Sequence, residues 1–264
     1  MNTELADRFR ALHIPGDPLL LPNPWDLGSA RVLAALGFLA LATTSSGFAA
    51  TLGRLDGTVT RDEAVAHAAQ VAGGVDVPVS ADLENCFADD PAGVAETVRA
   101  AVEAGLAGCS VEDFSGTGIY DAALAAERVA AAVEAAAGRL VITARAENYL
   151  HDRADLADTI ARLQSFAAAG ADVVYAPGVV APDELRVLVA EVDRPVNVLA
   201  LPSAPPVAEL AQLGVARVSV GGAFAFAAFG ALAEAGRELL DQGTYAFWSR
   251  AGAGRKIAGT AFGE

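Results

Sequence analysis

Five times along this chain a helix-forming stretch ends in glycine and a short run of Val, Leu, Ile or Ala follows within a few residues. The pattern falls at Gly37 (Phe38 to Thr43), Gly105 (Gly108 to Val111), Gly138 (Leu140 to Ala144), Gly170 (Asp172 to Ala176) and Gly214 (Arg217 to Val220). Glycine is what a helix C-terminus needs where the backbone turns left-handed. Short unbroken apolar runs fit strands buried on both faces of a parallel sheet. Leu19–Pro22, Val77–Ala81 and Pro195–Ala200 bring the expected strands to eight. Helix signals lie between them. Thr60-Arg-Asp-Glu63 is a capping box opening a helix to Val71, and Asp90-Pro91 supplies an N-cap and a first-turn proline. Tyr120–Ala137, Arg153–Ala169, Pro182–Val192 and Pro206–Leu213 complete the set. Such alternation means βαβ units and a parallel sheet. Eight units in 264 residues match a (β/α)8 TIM barrel. A doubly wound sheet would call for a glycine-rich phosphate fingerprint after the first strand, and Leu20–Gly28 has none. We expect one domain over 1–264, with 240–264 as a C-terminal helical extension.

Charge narrows the partners. A formal net charge of −15 argues against nucleic acid and against an anionic membrane surface. The first ten residues read as a small amphipathic helix without a signal pattern, and no apolar run is long enough to span a bilayer. Two cysteines, Cys86 and Cys109, make neither a disulfide framework nor a metal motif. A cytoplasmic location is the expectation.

In such a barrel the reactive groups sit where strands run into the following loops. Those exits carry Asn23, Trp25 and Asp26; Thr43 to Gly47; Asp82 and Glu84; Glu112 and Asp113; Arg145, Glu147 and Asn148; Tyr175; Asn197; and Ser219, Gly221 and Gly222. Asp82 and Glu84 are expected on the same side of an extended backbone, because strand side chains repeat every second residue. Carboxylates often end strands only because strand ends meet water. Two acid pairs on one rim favour a hard cation such as Mg²⁺, which takes oxygen ligands and keeps several waters. Arg145 among these acids suits a fork-shaped pairing with an anionic substrate, or it serves only to neutralise Glu112 or Glu147.

The stretches Leu21–Ala30, Leu41–Gly47, Leu55–Gly57, Ala81–Glu84, Val111–Asp113, Thr143–Asn148 and Arg217–Gly222 resemble, in order and spacing, the isocitrate lyase/phosphoenolpyruvate mutase superfamily. The resemblance implies a barrel whose last helix is exchanged with a neighbouring subunit, giving a homodimer or homotetramer. Gly243–Ile257, with Phe247 and Trp248, is the candidate for the exchanged piece; an ordinary helix on its own barrel is the alternative. It further implies Mg²⁺ (Mn²⁺ in its place) holding a 2-oxo acid. Asp82 would be the direct ligand, Glu84 and Glu112 would act through waters, and Asp56 would support them. Backbone N–H groups around Ser46, Gly47 and Phe48 would take the substrate's carboxylate or oxyanion, Arg145 would neutralise it, and Trp25 and Phe48 would wall the pocket.

The departures narrow the chemistry. Isocitrate-cleaving members carry a Lys-Lys/Arg-Cys-Gly-His segment after the fourth strand, whereas here the loop is Phe114-Ser-Gly-Thr-Gly-Ile-Tyr-Asp121. Phosphonate-cleaving members use a longer lid and a histidine after the sixth strand, where this chain has Tyr175-Ala-Pro-Gly178. The expected activity is therefore a Mg²⁺-dependent carbon–carbon lyase acting on a small 2-oxo dicarboxylate through an enolate, oxaloacetate decarboxylase-like. Phosphonopyruvate P–C chemistry and a non-catalytic 2-oxo acid binding barrel are the alternatives. Cys86 is expected to be a semi-exposed bystander and Cys109 to be packing. His151 is expected to be a surface or helix-capping residue, and His13 and His67 to lie on helices without a role. Tyr120 and Tyr175 are minor candidates for a proton donor.

Overall fold

The computed structural model describes residues 3–263. Eight strands form one parallel sheet: β1 (Leu19–Leu21), β2 (Leu41–Ala42), β3 (Val79–Ala81), β4 (Gly108–Glu112), β5 (Val141–Arg145), β6 (Val173–Tyr175), β7 (Val196–Leu199) and β8 (Arg217–Ser219). The strands pair in the order β1-β8-β7-β6-β5-β4-β3-β2. The remaining seam, between β1 and β2, is drawn together by Ala42 N–H donating to the Pro22 carbonyl at 3.1 Å. Asn23 fastens it from above. Its amide nitrogen donates to the Thr43 carbonyl at 2.9 Å, and its oxygen accepts from Val220 and Gly221 N–H at 2.9 and 3.0 Å. The expected (β/α)8 TIM barrel is therefore what forms.

The helices in chain order are α1 (Thr3–Ala11), α2 (Leu27–Ala35), α3 (Ser45–Thr51), α4 (Arg61–Ala72), α5 (Pro91–Glu103), α6 (Ala122–Ala136), α7 (Leu156–Ala168), α8 (Pro182–Glu191), α9 (Val207–Gln212), α10 (Ala223–Gln242) and α11 (Trp248–Phe262). The capping box at Thr60 forms with both of its hydrogen bonds, and Asp90 caps α5 ahead of Pro91. All five glycines of the repeated pattern have positive φ, between 74° and 100°, where a side chain would be strained. The strand cores came out shorter than the apolar runs because the ends of each run fall in loops.

Leu106, Leu140, Ile142, Val98 and Val71 are among the residues that fill the layer between sheet and helices on one flank, with Leu163, Phe166, Leu185 and Val196 on the other. The last two helices behave differently. α10 follows β8 where the eighth barrel helix belongs, yet it buries only Ala225. Phe226, Phe229, Leu232 and Leu240 remain exposed along it. α11 buries no residue at all and touches the barrel at α2, where Phe262 approaches Gly28. No helix among the described residues is long and apolar enough to cross a membrane.

Candidate active site

The strand register places Glu112 beside Arg145, and Arg145 beside Tyr175, so neighbouring strands deliver these side chains to one mouth. Arg145 is the hub. Its Nη1 lies 2.8 Å from Glu112 Oε1 and 3.3 Å from Asp82 Oδ1, and its Nε lies 2.6 Å from Glu147 Oε1. Its guanidinium sits over the Tyr175 ring at 5.0 Å. With three carboxylates around it, the guanidinium is held well above its usual pKa despite burial, which pulls the other way.

Asp82 is fixed from several sides. Ser45 N–H donates to its Oδ2 at 3.0 Å, Ser110 Oγ donates to Oδ1 at 3.3 Å, and its own N–H donates to Thr43 Oγ1 at 2.9 Å. The first of these contacts exists because α3 begins directly after β2, with Thr44 as its cap. Glu84 reaches the same mouth by a route the sequence did not announce. The chain is not extended there: Glu84, Cys86 and Phe87 adopt φ of 51°, 59° and 56°. Non-glycine residues rarely adopt such angles. Arg128, fully buried on α6, holds the turn by donating to the carbonyls of Asn85, Ala88 and Asp89. Its guanidinium also lies over the Tyr120 ring at 4.1 Å.

The acids feel one another. Desolvation, then the charges of Asp82 and Asp56, pushes the Glu84 carboxyl up to about 7. Burial, only partly opposed by Arg145, carries Glu112 well above the usual carboxylate range. Asp56 is raised too, chiefly by desolvation and against its hydrogen bond to Ser45. These residues open onto a cavity of about 920 Å³ whose wall includes Asp56, Glu84, Glu112, Glu147, Phe114 and His151. His151 closes the short 3-10 turn Asn148–His151, so it does stand at a helix end, and from there its ring stacks on Phe114 at 3.5 Å on the cavity wall.

The other expected residues divide between the mouth, where Phe48 borders a small hollow with Asp82 and Glu84, and other parts of the barrel. Gly47 N–H is engaged by Thr44 Oγ1 and Phe48 N–H by the Thr44 carbonyl, which leaves Ser46 N–H as the candidate donor of that loop. The Phe48 ring stacks on His67 at 3.9 Å. Trp25 lines a separate apolar cleft of about 510 Å³ with Phe224 and Phe262 instead of the acid cavity, because its loop faces the base of the terminal helices. Asp113 turns behind the mouth, pairing with Arg162 at 3.1 Å and accepting from Glu147 N–H at 2.8 Å. The Tyr120 hydroxyl is tied to Asp89 and Asn85. Cys86 is not semi-exposed: the left-handed turn rolls it inward to 0% exposure, and burial pushes its thiol up to about 12. Cys109 is buried as expected. His13 follows α1 rather than lying on it, and is buried. Arg128 and Arg162 were not singled out by sequence, since an arginine on an alanine-rich helix reads as a solvated face.

Comparison with known proteins fits this geometry. Residues 9–240 match the family described as phosphoenolpyruvate phosphomutase. The chain belongs to that family. A crystal structure of a candidate lyase/mutase from Burkholderia cenocepacia J2315 shares 49% identity with this family member, covering 97% of this chain and 94% of that one, with a TM-score of 0.92. An uncharacterized protein of Mycobacterium tuberculosis (strain H37Rv) is 38% identical over 235 residues, 88% of this chain and 89% of its own length. The crystal structure of 2,3-dimethylmalate lyase, of the phosphoenolpyruvate mutase/isocitrate lyase superfamily, superposes with a TM-score of 0.82 at 27% identity, covering 93% of this chain and 90% of that chain. This family member therefore sits within a superfamily of carbon–carbon lyases and mutases.

Proposed function

We propose that the protein is a divalent-metal-dependent lyase that cleaves a carbon–carbon bond of a small 2-oxo dicarboxylate through an enolate, with oxaloacetate decarboxylation as the specific reaction. The observation that carries the reading is the mouth itself: one guanidinium faces Asp82, Glu112 and Glu147, and the last two share a cavity wall with Asp56 and Glu84, which have no salt-bridge partner among the described residues. Among the described residues no three His, Cys, Asp or Glu side chains close into a metal cage. The excess of oxygen donors over cations nevertheless fits Mg²⁺, which is commonly held by one or two carboxylates with waters filling the rest. Asp82 would hold the ion directly, with Glu84 and Glu112 acting through water and Asp56 behind them. When bound, the ion supplies Lewis-acid charge where electron density builds on a 2-oxo group.

The chain's own groups do the remaining work. Arg145 offsets the substrate's negative charge, and Ser46 N–H at the start of α3 can donate to its carboxylate. Ser45 and Ser110 keep Asp82 oriented. Phe114 and His151 border the cavity and restrict water. Loss of CO₂ needs no proton donor on the leaving fragment, which suits a lid that carries neither Cys nor Lys. The match to phosphoenolpyruvate phosphomutase keeps P–C chemistry as a second reading. Pyruvate release from oxaloacetate with added Mg²⁺ tests the proposal, alongside a phosphonopyruvate arm read by phosphate release. Asp82→Ala is expected to lower turnover at least about a hundredfold and to remove metal dependence with it. No Mg²⁺-dependent loss of oxaloacetate above background would sink the specific reaction.

We further propose that the protein assembles as a homodimer or homotetramer by exchanging its terminal helices. The nearly unburied α10 and α11 support this.

A further inference from the structure

Below the mouth, the interior of the barrel is polar. TIM-barrel interiors are usually filled by branched aliphatic side chains, yet here Ser80, Ser110, Thr143, Asn197 and Arg217 are buried there. They line a second cavity of about 60 Å³ that reaches up to Asp82 and Arg145. By liquid volume that is room for roughly two waters, which is the size of a carboxylate.

Arg217 is the unusual member. It is 4% exposed, and its three hydrogen-bond acceptors are uncharged. Nε donates to Asn197 Oδ1 at 2.9 Å, Nη2 to Thr143 Oγ1 at 3.1 Å, and Nη1 meets His13 Nε2 at 3.2 Å. His13 Nδ1 lies 2.9 Å from the Phe9 carbonyl, so Nδ1 carries the proton and Nε2 is the acceptor. Asn197 is oriented in turn, since its Nδ2 donates to Ser219 Oγ at 3.0 Å. A guanidinium has five N–H donors, so two are uncommitted among the described contacts. Arg145 and Arg162 are matched by carboxylates, whereas no described carboxylate pairs with Arg217. Burial, reinforced by the like charge of Arg145, pushes Arg217 down to about 10. A buried cation with neutral partners, a cavity of anion size and a wall of hydroxyls occur at one place.

We propose that this interior well binds one carboxylate, or a monovalent anion of similar size, with Arg217 as its charge partner. The carboxylate has two possible sources. It is either a free small anion such as formate or bicarbonate, or the inward end of the 2-oxo dicarboxylate. Only the second source rests on the function proposed above.

Calorimetry on the full-length protein with formate, pyruvate and oxalate, repeated on Arg217→Met and Arg145→Met, separates the sources. Formate binding that survives Arg145→Met but weakens at least about tenfold in Arg217→Met establishes a free-anion well. Oxalate weakened at least about tenfold by Arg217→Met, with pyruvate unchanged, assigns the well to the substrate's inward carboxylate. Crystals of the unaltered protein soaked in bromide give a readout that needs no variant: an anomalous peak at the Arg217 guanidinium is expected. Arg217→Lys, retaining the charge, replaces Arg217→Met should the latter fail to fold by circular dichroism, and weaker formate or oxalate binding is again expected. The proposal is overturned if bromide avoids the guanidinium and no ligand's affinity responds to residue 217. A peak at crystal concentration without any solution binding overturns it equally. Neither result depends on whether oxaloacetate is turned over.

Discussion

His13 shows how much a single buried group decides. Its ring donates at Nδ1 and accepts at Nε2, and burial beside the Arg217 cation pushes its pKa down from 6.5 to about 3. The folded protein therefore refuses a proton that the unfolded chain accepts. Stability is unaffected by this residue above about pH 6.5 and is lost steadily as the pH falls toward 3. His13→Gln is expected to flatten the acid side of the stability curve, with a difference of about 3 kcal/mol by pH 4 relative to neutral pH. Urea melts of both proteins at several pH values check this, and parallel curves would contradict it. Glu84, raised to about 7 by desolvation and by Asp82 and Asp56, shifts in the opposite direction. Its contribution to acid sensitivity therefore has the opposite sign and does not mimic that of His13.

At the scale of elements, the turn after β3 is the part of the mouth that regular structure does not explain. Three non-glycine residues in left-handed backbone each cost on the order of 1 kcal/mol, and they persist because Arg128 spans the turn's carbonyls from α6. Arg128 Nε has no partner, so the residue itself carries a further penalty that the turn contacts offset. Arg128→Met is expected to destabilise the protein by on the order of 3 kcal/mol. It should also raise amide exchange at residues 84–89 before the rest of the barrel. Uniform exchange across the barrel would show that the clamp acts globally. The five glycine stops and the Thr60 and Asp90 caps were readable in advance, because each rule involves neighbours within four residues. The turn was not readable, because what stabilises it lies about forty residues away on another helix.

For the whole molecule, α10 and α11 bury almost nothing, and Phe226, Phe229, Leu232 and Leu240 stand exposed on a chain of otherwise acidic surface. Contiguous exposed apolar side chains of this kind mark association surfaces. Phe229→Glu combined with Leu232→Glu is expected to shift sedimentation from a dimer or tetramer to a monomer while circular dichroism stays that of a folded barrel. A wild-type monomer at micromolar concentration would end the exchange proposal. The barrel itself needed no such inference, since periodic helix stops and apolar runs admit few other arrangements.

Residue order alone determined the eightfold alternation, the acids at the strand exits and the single rim arginine, because these depend on local conformation and on which end of a strand faces the loops. Folding in three dimensions decided what the order could not encode. It set which carboxylates share Arg145, turned Cys86 inward and Trp25 toward another cleft, and placed Arg217 inside the barrel without a counter-charge. Contacts between residues far apart in sequence set those outcomes, and desolvation gives the buried charges their weight.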